Sequence, residues 1–304
     1  MTSDKQEYQK HPHIQREGLV LYDYPELNAP LLIVGFGGWP DAAGVALGSV
    51  VHLKNKLAAQ KIGVIEADNF YDFVSTRHTI DIKDGIVKDL KLLSTEFYAC
   101  KNKDADHDLL LLIGTEPHLK WDQYVNTVLD VAEAFGVKRI YGIGGTLDRV
   151  PHTREARVKA MVNDPALKEE LKRHDIIPLN YNGPTSILTV LALAAKKRGI
   201  EAICLWGQAP YYISVPNPAV SYSVLKHLSP MLGIDINLRD LRGAADYMEE
   251  QVNKVMTKNP GLQEHIRKLE EAYEAKDIIE PLESSEEIIQ EVERFLQGNS
   301  SDDT

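Results

Sequence analysis

Four short apolar runs, each carrying glycine at or near its C-terminal end, set the frame: "LLIVGF" (31–36), "DLLLLIG" (108–114), "KRIYGIG" (138–144) and "EAICLWG" (201–207). Their hydrophobic residues are continuous rather than alternating. A strand reads that way when both faces are covered, as in a sheet sandwiched by helices. Residues 18–24, 61–68 and 175–180 are further strand candidates. Between these runs the apolar spacing changes to three and four. Residues 41–59 place Val45, Val50, Leu53 and Leu57 on one helical face, and 120–135 do the same with Val125, Val128, Leu129 and Ala132. The segment "GPTSILTVLALAAKKRG" (183–199) is apolar enough for a mostly buried helix, with Lys196, Lys197 and Arg198 where cations favour the helix dipole. Asp164 and Pro165 open a short helix at "NDPALKEELKRH". This alternation predicts an α/β fold: a three-layer α/β/α sandwich around a largely parallel sheet.

From about residue 217 the pattern is helical only. "NPAVSYSVLKHLSPMLG" reads as one helix. "LRDLRGAADYMEEQVNKVM" is the next, with Ala245, Met248, Val252 and Val255 on one side, and "PGLQEHIRKLEEAYEA" follows with Ile266, Leu269 and Tyr273. Beyond Pro281, a capping box from Ser284 to Glu287 opens a last helix striped by Ile288, Ile289, Val292, Phe295 and Leu296. That stripe has to pack on the body of its own chain or on another copy. The expected division is a disordered arm (1–17), an α/β/α core domain (18–235), a C-terminal helical segment (236–297) and a polar tail (298–304).

Charge and composition narrow the function. The 304 residues carry a net charge of −11, which repels phosphate backbones and anionic lipid, so neither a nucleic-acid nor a membrane partner is expected. No apolar run approaches the ~20 residues of a membrane span. The polar N-terminus has no apolar signal region. A cytoplasmic protein is expected. The two cysteines, Cys100 and Cys204, have no near partner in sequence, so neither a disulfide framework nor a cysteine zinc site is expected. Ten histidines include no HExxH pair, so neither a metal nor a cofactor is expected.

The first glycine turn, Gly35 to Pro40, has proline where the dinucleotide fingerprint needs its third glycine, and no Gly-Lys-Ser/Thr loop occurs. Its pattern recurs, as "IVGFGGWPD" (33–41) and "IYGIGGTLD" (140–148), and convergence explains that more simply than duplication. In a parallel sheet, glycine-ended strands leave along one edge, where open α/β folds bind ligands. Candidates to line a common crevice there are Asp41, Thr115, Glu116, Thr146, Gln208, Tyr211 and Tyr212, with Arg154 from "VPHTR" as an anion clamp. Plainer roles compete. Asp41 is placed to cap a helix, Ser186 to open one, and Arg154, clustered with His152, Thr153 and Arg157, to form a structural salt bridge. There is no G-x-S-x-G elbow, and no residue is nominated as catalytic.

"LIVGFGGWPDAAGVA", "IYGIGGT" followed by "VPHTR", "NGPTSIL", and "GQAPYYISVPNPAVSYSVLKHL" with "LEEAYEA" and "VERFL" behind it resemble the proteasome assembly chaperone 2-like family, in particular its longer prokaryotic members. The similarity spans roughly residues 18 to 297. It implies a three-layer fold similar to nucleoside phosphorylases, here with a helical C-terminal extension. The best understood members of that family chaperone assembly of the proteasome core and carry no catalytic residues. Some archaeal ones form ring-like homo-oligomers and dock through a hydrophobic-tyrosine-any-residue tail. This chain ends "SSDDT" and lacks that tail. Residues and resemblance together point away from an enzyme. The expected function is a non-enzymatic assembly chaperone-like or scaffolding protein, a homo-oligomer whose partner is proteasome subunits or another protein complex. The alternative is a small-molecule binding protein or enzyme for a nucleoside or phosphorylated metabolite. It would use the glycine-lined crevice, with Arg154 on the anion and Glu116 or Asp41 on a sugar hydroxyl.

Overall fold

A computed structural model describes residues 14, 16–102, 105–257 and 260–275. In chain order these form β1 (Leu19–Leu21), β2 (Leu31–Gly37), α1 (Val45–Lys56), β3 (Gln60–Glu66), β4 (Thr79–Lys83), β5 (Ile86–Lys91), β6 (Ser94–Cys100), β7 (Leu109–Thr115), α2 (Trp121–Ala134), β8 (Arg139–Asp148), β9 (Val158–Val162), α3 (Lys168–Arg173), β10 (Ile177–Pro178), α4 (Ile187–Lys197), β11 (Glu201–Pro210), α5 (Pro218–Met231), α6 (Arg239–Met256) and α7 (Pro260–Ala275). Nine strands join one sheet in the order β1-β3-β6-β7-β2-β8-β11-β9-β10, while β4 and β5 pair only with each other.

The four glycine-bearing runs are the sheet's adjacent centre. β7, β2, β8 and β11 lie side by side and parallel, with Leu31 opposite Leu109 and Arg139, and Glu201 opposite Arg139. Their uninterrupted apolar character has the expected cause. Leu32, Val34, Phe36, Leu110, Leu112, Ile140 and Cys204 face one core, which α2 and α4 cover with Val125, Val128, Leu129, Leu188 and Leu191. The alternate residues Ile33, Leu111, Tyr141, Ile143, Ile203 and Leu205 face the opposite core, under Val45, Val50 and Leu53 of α1 and Val224 and Leu228 of α5. This is a sheet between two helical layers.

The sheet as a whole is mixed rather than largely parallel. β1, β3 and β6 add antiparallel pairs on one flank, and β9 runs antiparallel to β11 on the other. Residues 175–180 supply only the two-residue β10. β8 and β11 also outrun their glycines. Gly144 and Gly145 lie inside β8, and Gly207 lies inside β11 opposite Gly145. The second glycine motif is therefore strand interior, not a turn.

The helix ends follow local chemistry. Asp164 accepts from the Ala166 amide at 2.9 Å, with Pro165 at the first position. Asn217 accepts from Ala219 and Val220 at the start of α5, with Pro218 next. α6 packs along α5 and, with α7, closes a third apolar cluster: Tyr212 and Ile213 beyond β11 meet Val252, Val255, Met256, Leu262, Ile266 and Leu269. Most of the 1–17 arm and the whole 284–296 stripe lie outside the described residues. Among the described residues no helix is long and apolar enough to cross a membrane.

Candidate functional site

The C-terminal ends of β7, β2, β8 and β11 share one edge of the sheet, and the N-termini of α1, α2 and α4 rise from the same edge. Space there is limited by how closely the helices approach. A Cβ on Gly145 would run into the Ala42 carbonyl oxygen, and one on Gly207 would sit 2.5 Å from Val220 and 2.9 Å from Val224 of α5. These glycines let the Ala42 carbonyl just before α1, and the valine side chains of α5, rest on the sheet backbone.

The eight candidate side chains fall into two groups. Asp41, Thr115, Glu116 and Thr146 sit around the ends of β2, β7 and β8. The Asp41 carboxylate accepts from the Ala46 amide at 2.6 Å and the Leu47 amide at 3.2 Å, in the first turn of α1. Burial pushes its pKa up to about 6, against the opposing pull of those two amides. The Glu116 carboxylate accepts from the Ile187 amide at 2.8 Å and so caps α4 from across the edge. Its pKa is raised, chiefly by desolvation. Ser186, at the capping position itself, makes no side-chain capping bond. The Thr115 carbonyl accepts from the Tyr71 hydroxyl at 2.6 Å, and Thr146 is half-buried on β8.

Gln208, Tyr211, Tyr212 and Arg154 lie toward the C-terminal helices. The Gln208 amide donates to Asp148, while its Oε1 faces no partner among the described residues. A cavity of about 20 Å³ beside it, lined by His152, Asn217 and Val252 among others, has room for one water. Tyr212 accepts from the His152 amide at 2.8 Å, and its hydroxyl meets His152 Nδ1 at the same distance. The other ring nitrogen, Nε2, lies 3.1 Å from Asn253 of α6. Burial holds His152 below the usual histidine range. Tyr211 meets His265 of α7 at 2.7 Å. Arg154 pairs with Glu270 at 3.0 Å and Glu274 at 2.7 Å, both on α7. Arg157 stacks over Tyr273 at 3.7 Å. This second group is a clasp. It pins α6 and α7 to the exits of β8 and β11, and Arg154 is engaged in it rather than standing free for an anion.

Sequence reasoning did not find the clasp partners Asn253, His265, Glu270 and Glu274, because nothing local ties them to residues more than fifty positions away. It also passed over a set of exposed apolar residues on this same edge. Trp39 follows β2, Leu119 follows β7, Leu147 lies near the end of β8, and Tyr181 precedes α4; all four are exposed. Each sits in a turn or at a strand end, where an apolar residue has no neighbours to mark it. Chemically, this edge can offer apolar area together with the main-chain edges of four turns. Its carboxylates already hold helix amides.

Comparison with known proteins agrees with this layout. Over 176 residues the chain is 26% identical to the uncharacterized protein MJ1210 of Methanocaldococcus jannaschii; the match covers 56% of this chain and just under two thirds, 66%, of that relative. A PAC2 family protein from Streptomyces avermitilis superposes with a TM-score of 0.68 at 29% identity, covering 74% of this chain and 95% of that one. The Mycobacterium tuberculosis proteasome-assembly chaperone homologue Rv2125 superposes with a TM-score of 0.71 at 27% identity, covering 78% and 99%. The family model described as PAC2 matches residues 35–256, which runs from the first glycine turn to the end of α6. The chain belongs to the PAC2 family.

Proposed function

We propose that this chain is a non-enzymatic, assembly chaperone-like protein that acts by surface contact on proteasome subunits or another protein complex, and that it works as a homo-oligomer. The observation that carries this reading is the strand-end edge. Its two carboxylates, Asp41 and Glu116, bond amides of the chain's own helices, while Trp39, Leu119, Leu147 and Tyr181 are exposed. Exposed apolar groups gathered on one face, bounded by polar residues, mark protein contact sites. The similarity to a proteasome-assembly chaperone homologue supports the choice of client.

The test combines the purified full chain with proteasome subunits from the same organism. Native mass spectrometry follows complexes between them, and peptidase activity follows core-particle formation. The chain is expected to bind the subunits and speed formation of active particles. The double variant Trp39→Asp, Tyr181→Asp is expected to lose both effects while keeping its fold by circular dichroism. Absence of any complex with the subunits would refute the client, and undiminished binding by the double variant would refute the surface.

A further inference from the structure

Asn182 is the one asparagine of this chain that is followed by glycine. It lies in the segment 180–185, which forms neither helix nor strand, and both Asn182 and Gly183 are exposed. Among the described residues neither the Asn182 side chain nor the Gly183 amide has a hydrogen-bond partner. Other asparagines are held. Asn163 bonds through both ends of its amide, to Ala192, Ile200 and Ala202, and Asn217 caps α5. The local frame is set by Tyr181. Its hydroxyl donates to the Pro184 carbonyl at 3.0 Å and so bridges the two residues between. A Cβ on Gly183 would stand 2.5 Å from that hydroxyl oxygen, so glycine is what lets the bridge close.

We propose that Asn182 is a self-modification site, converted to aspartate and isoaspartate by water and the Gly183 nitrogen without an enzyme, and that the conversion switches off the contact edge as the molecule ages. The switch rests on the functional reading above; the modification does not. In the first step the Gly183 nitrogen gives its proton to hydroxide and attacks Asn182 Cγ. The N–Cγ bond forms, the Cγ–Nδ2 bond breaks, and ammonia leaves with a proton taken from water, closing a cyclic imide. Water then adds to the imide. Opening of the new N–Cγ bond gives aspartate. Opening of the original peptide bond leaves the main chain running through Cγ, as isoaspartate. A side chain on the residue after asparagine hinders the attack, and glycine has none. Among the described residues the segment 180–185 makes no main-chain to main-chain hydrogen bond that the necessary rotation would break.

Position gives the change its effect. Tyr181, 60% exposed, belongs to the apolar strand-end edge. Conversion puts a carboxylate beside it, and seating a partner there then requires that charge to be stripped of water. Isoaspartate also lengthens the main chain between Tyr181 and Pro184, which displaces the bridge. Neither product returns to asparagine, because the ammonia is lost. The change runs one way.

The test incubates the purified full chain at mildly acidic and mildly alkaline pH and reads it by peptide mapping, with fragmentation that separates aspartate from isoaspartate. Asn182 is expected to convert at least about tenfold faster than Asn180, which shares its segment and exposure but precedes Tyr181, and faster at the higher pH. Gly183→Ala, whose Cβ only swings the Tyr181 ring aside, is expected to slow the conversion by about tenfold or more. Fresh and incubated chains are then titrated with the proteasome subunits. Incubated wild type and fresh Asn182→Asp are expected to bind about tenfold or more weakly than fresh wild type, while Asn182→Gln binds like fresh wild type before and after incubation. An Asn182 that stays intact, or converts no faster than Asn180, would overturn the modification. Converted chain that binds as tightly as fresh chain would overturn the switch and leave the modification standing. Fresh wild type that binds no subunit would overturn the functional reading and the switch with it, and the peptide map would still decide the modification.

Discussion

Replacing Asp41 by Asn should change how stability depends on pH, and the sign follows from the structure. The Asp41 carboxylate bonds two amides of α1, which favours its charged form, as does the positive helix end. Burial opposes both and prevails, lifting the pKa from the ordinary 3.8 to about 6. Between about pH 4 and pH 6 the folded chain therefore holds a proton that the unfolded chain has released. Where the folded state binds more protons, stability falls as pH rises. Asp41 thus contributes stability that is full below about pH 4 and is lost as pH climbs through about 6. A gap of this size corresponds to about 3 kcal/mol, which solvent screening of a half-buried group reduces to about 2 kcal/mol. Asparagine keeps an oxygen for both amides and cannot titrate. Urea unfolding of wild type and Asp41→Asn across this range should give a difference in stability that grows with pH in favour of the variant, by about 2 kcal/mol at neutrality. Parallel curves, or a variant that loses ground as pH rises, would refute the dominance of desolvation over the two amide bonds.

The clasp gives a second expectation. Asn253→Ala leaves His152 Nε2 without its partner, which should cost about 1–3 kcal/mol and raise hydrogen exchange in α6 and α7 before the central strands. Because burial holds the folded His152 below its ordinary value, docking of these helices should be firmest above the unfolded histidine's pKa of 6.5 and weaken as pH falls below it, read by limited proteolysis. Glycine substitutions should differ in sign. Gly207→Val, aimed into Val220 and Val224, should destabilise by about 1–3 kcal/mol. Gly243→Ala, in the exposed interior of α6 with nothing within 4 Å, should stabilise by up to about 1 kcal/mol in thermal or urea unfolding.

The central strands and most helices were legible because burial on both faces writes itself as an unbroken apolar run. β6 was not: Ser94, Thr95 and Glu96 open it, and Glu96 turns to Lys61 on the neighbouring strand. β9, with Lys159 inside it, is too short to show a period. The ends of β8 and β11 were misread because glycine in a strand signals either a stop or a close neighbour, and only the packed helix tells which. At the candidate site, the edge itself could be located, since parallel strands must end together. The partners of its side chains could not, because Glu116 reaching Ile187, or Arg154 reaching Glu270, depends on how distant segments dock.

The near-contact of α1 and α5 with the sheet at Gly145 and Gly207 has a mechanical consequence. The Ala42 carbonyl oxygen meets Gly145, and the branched, rotamer-poor valines Val220 and Val224 meet Gly207, so little is left there to relax and the spacing of the layers is tightly set. The edge built on them behaves as a die rather than a mould: a protein seated against it, as proposed above, would have to do the conforming.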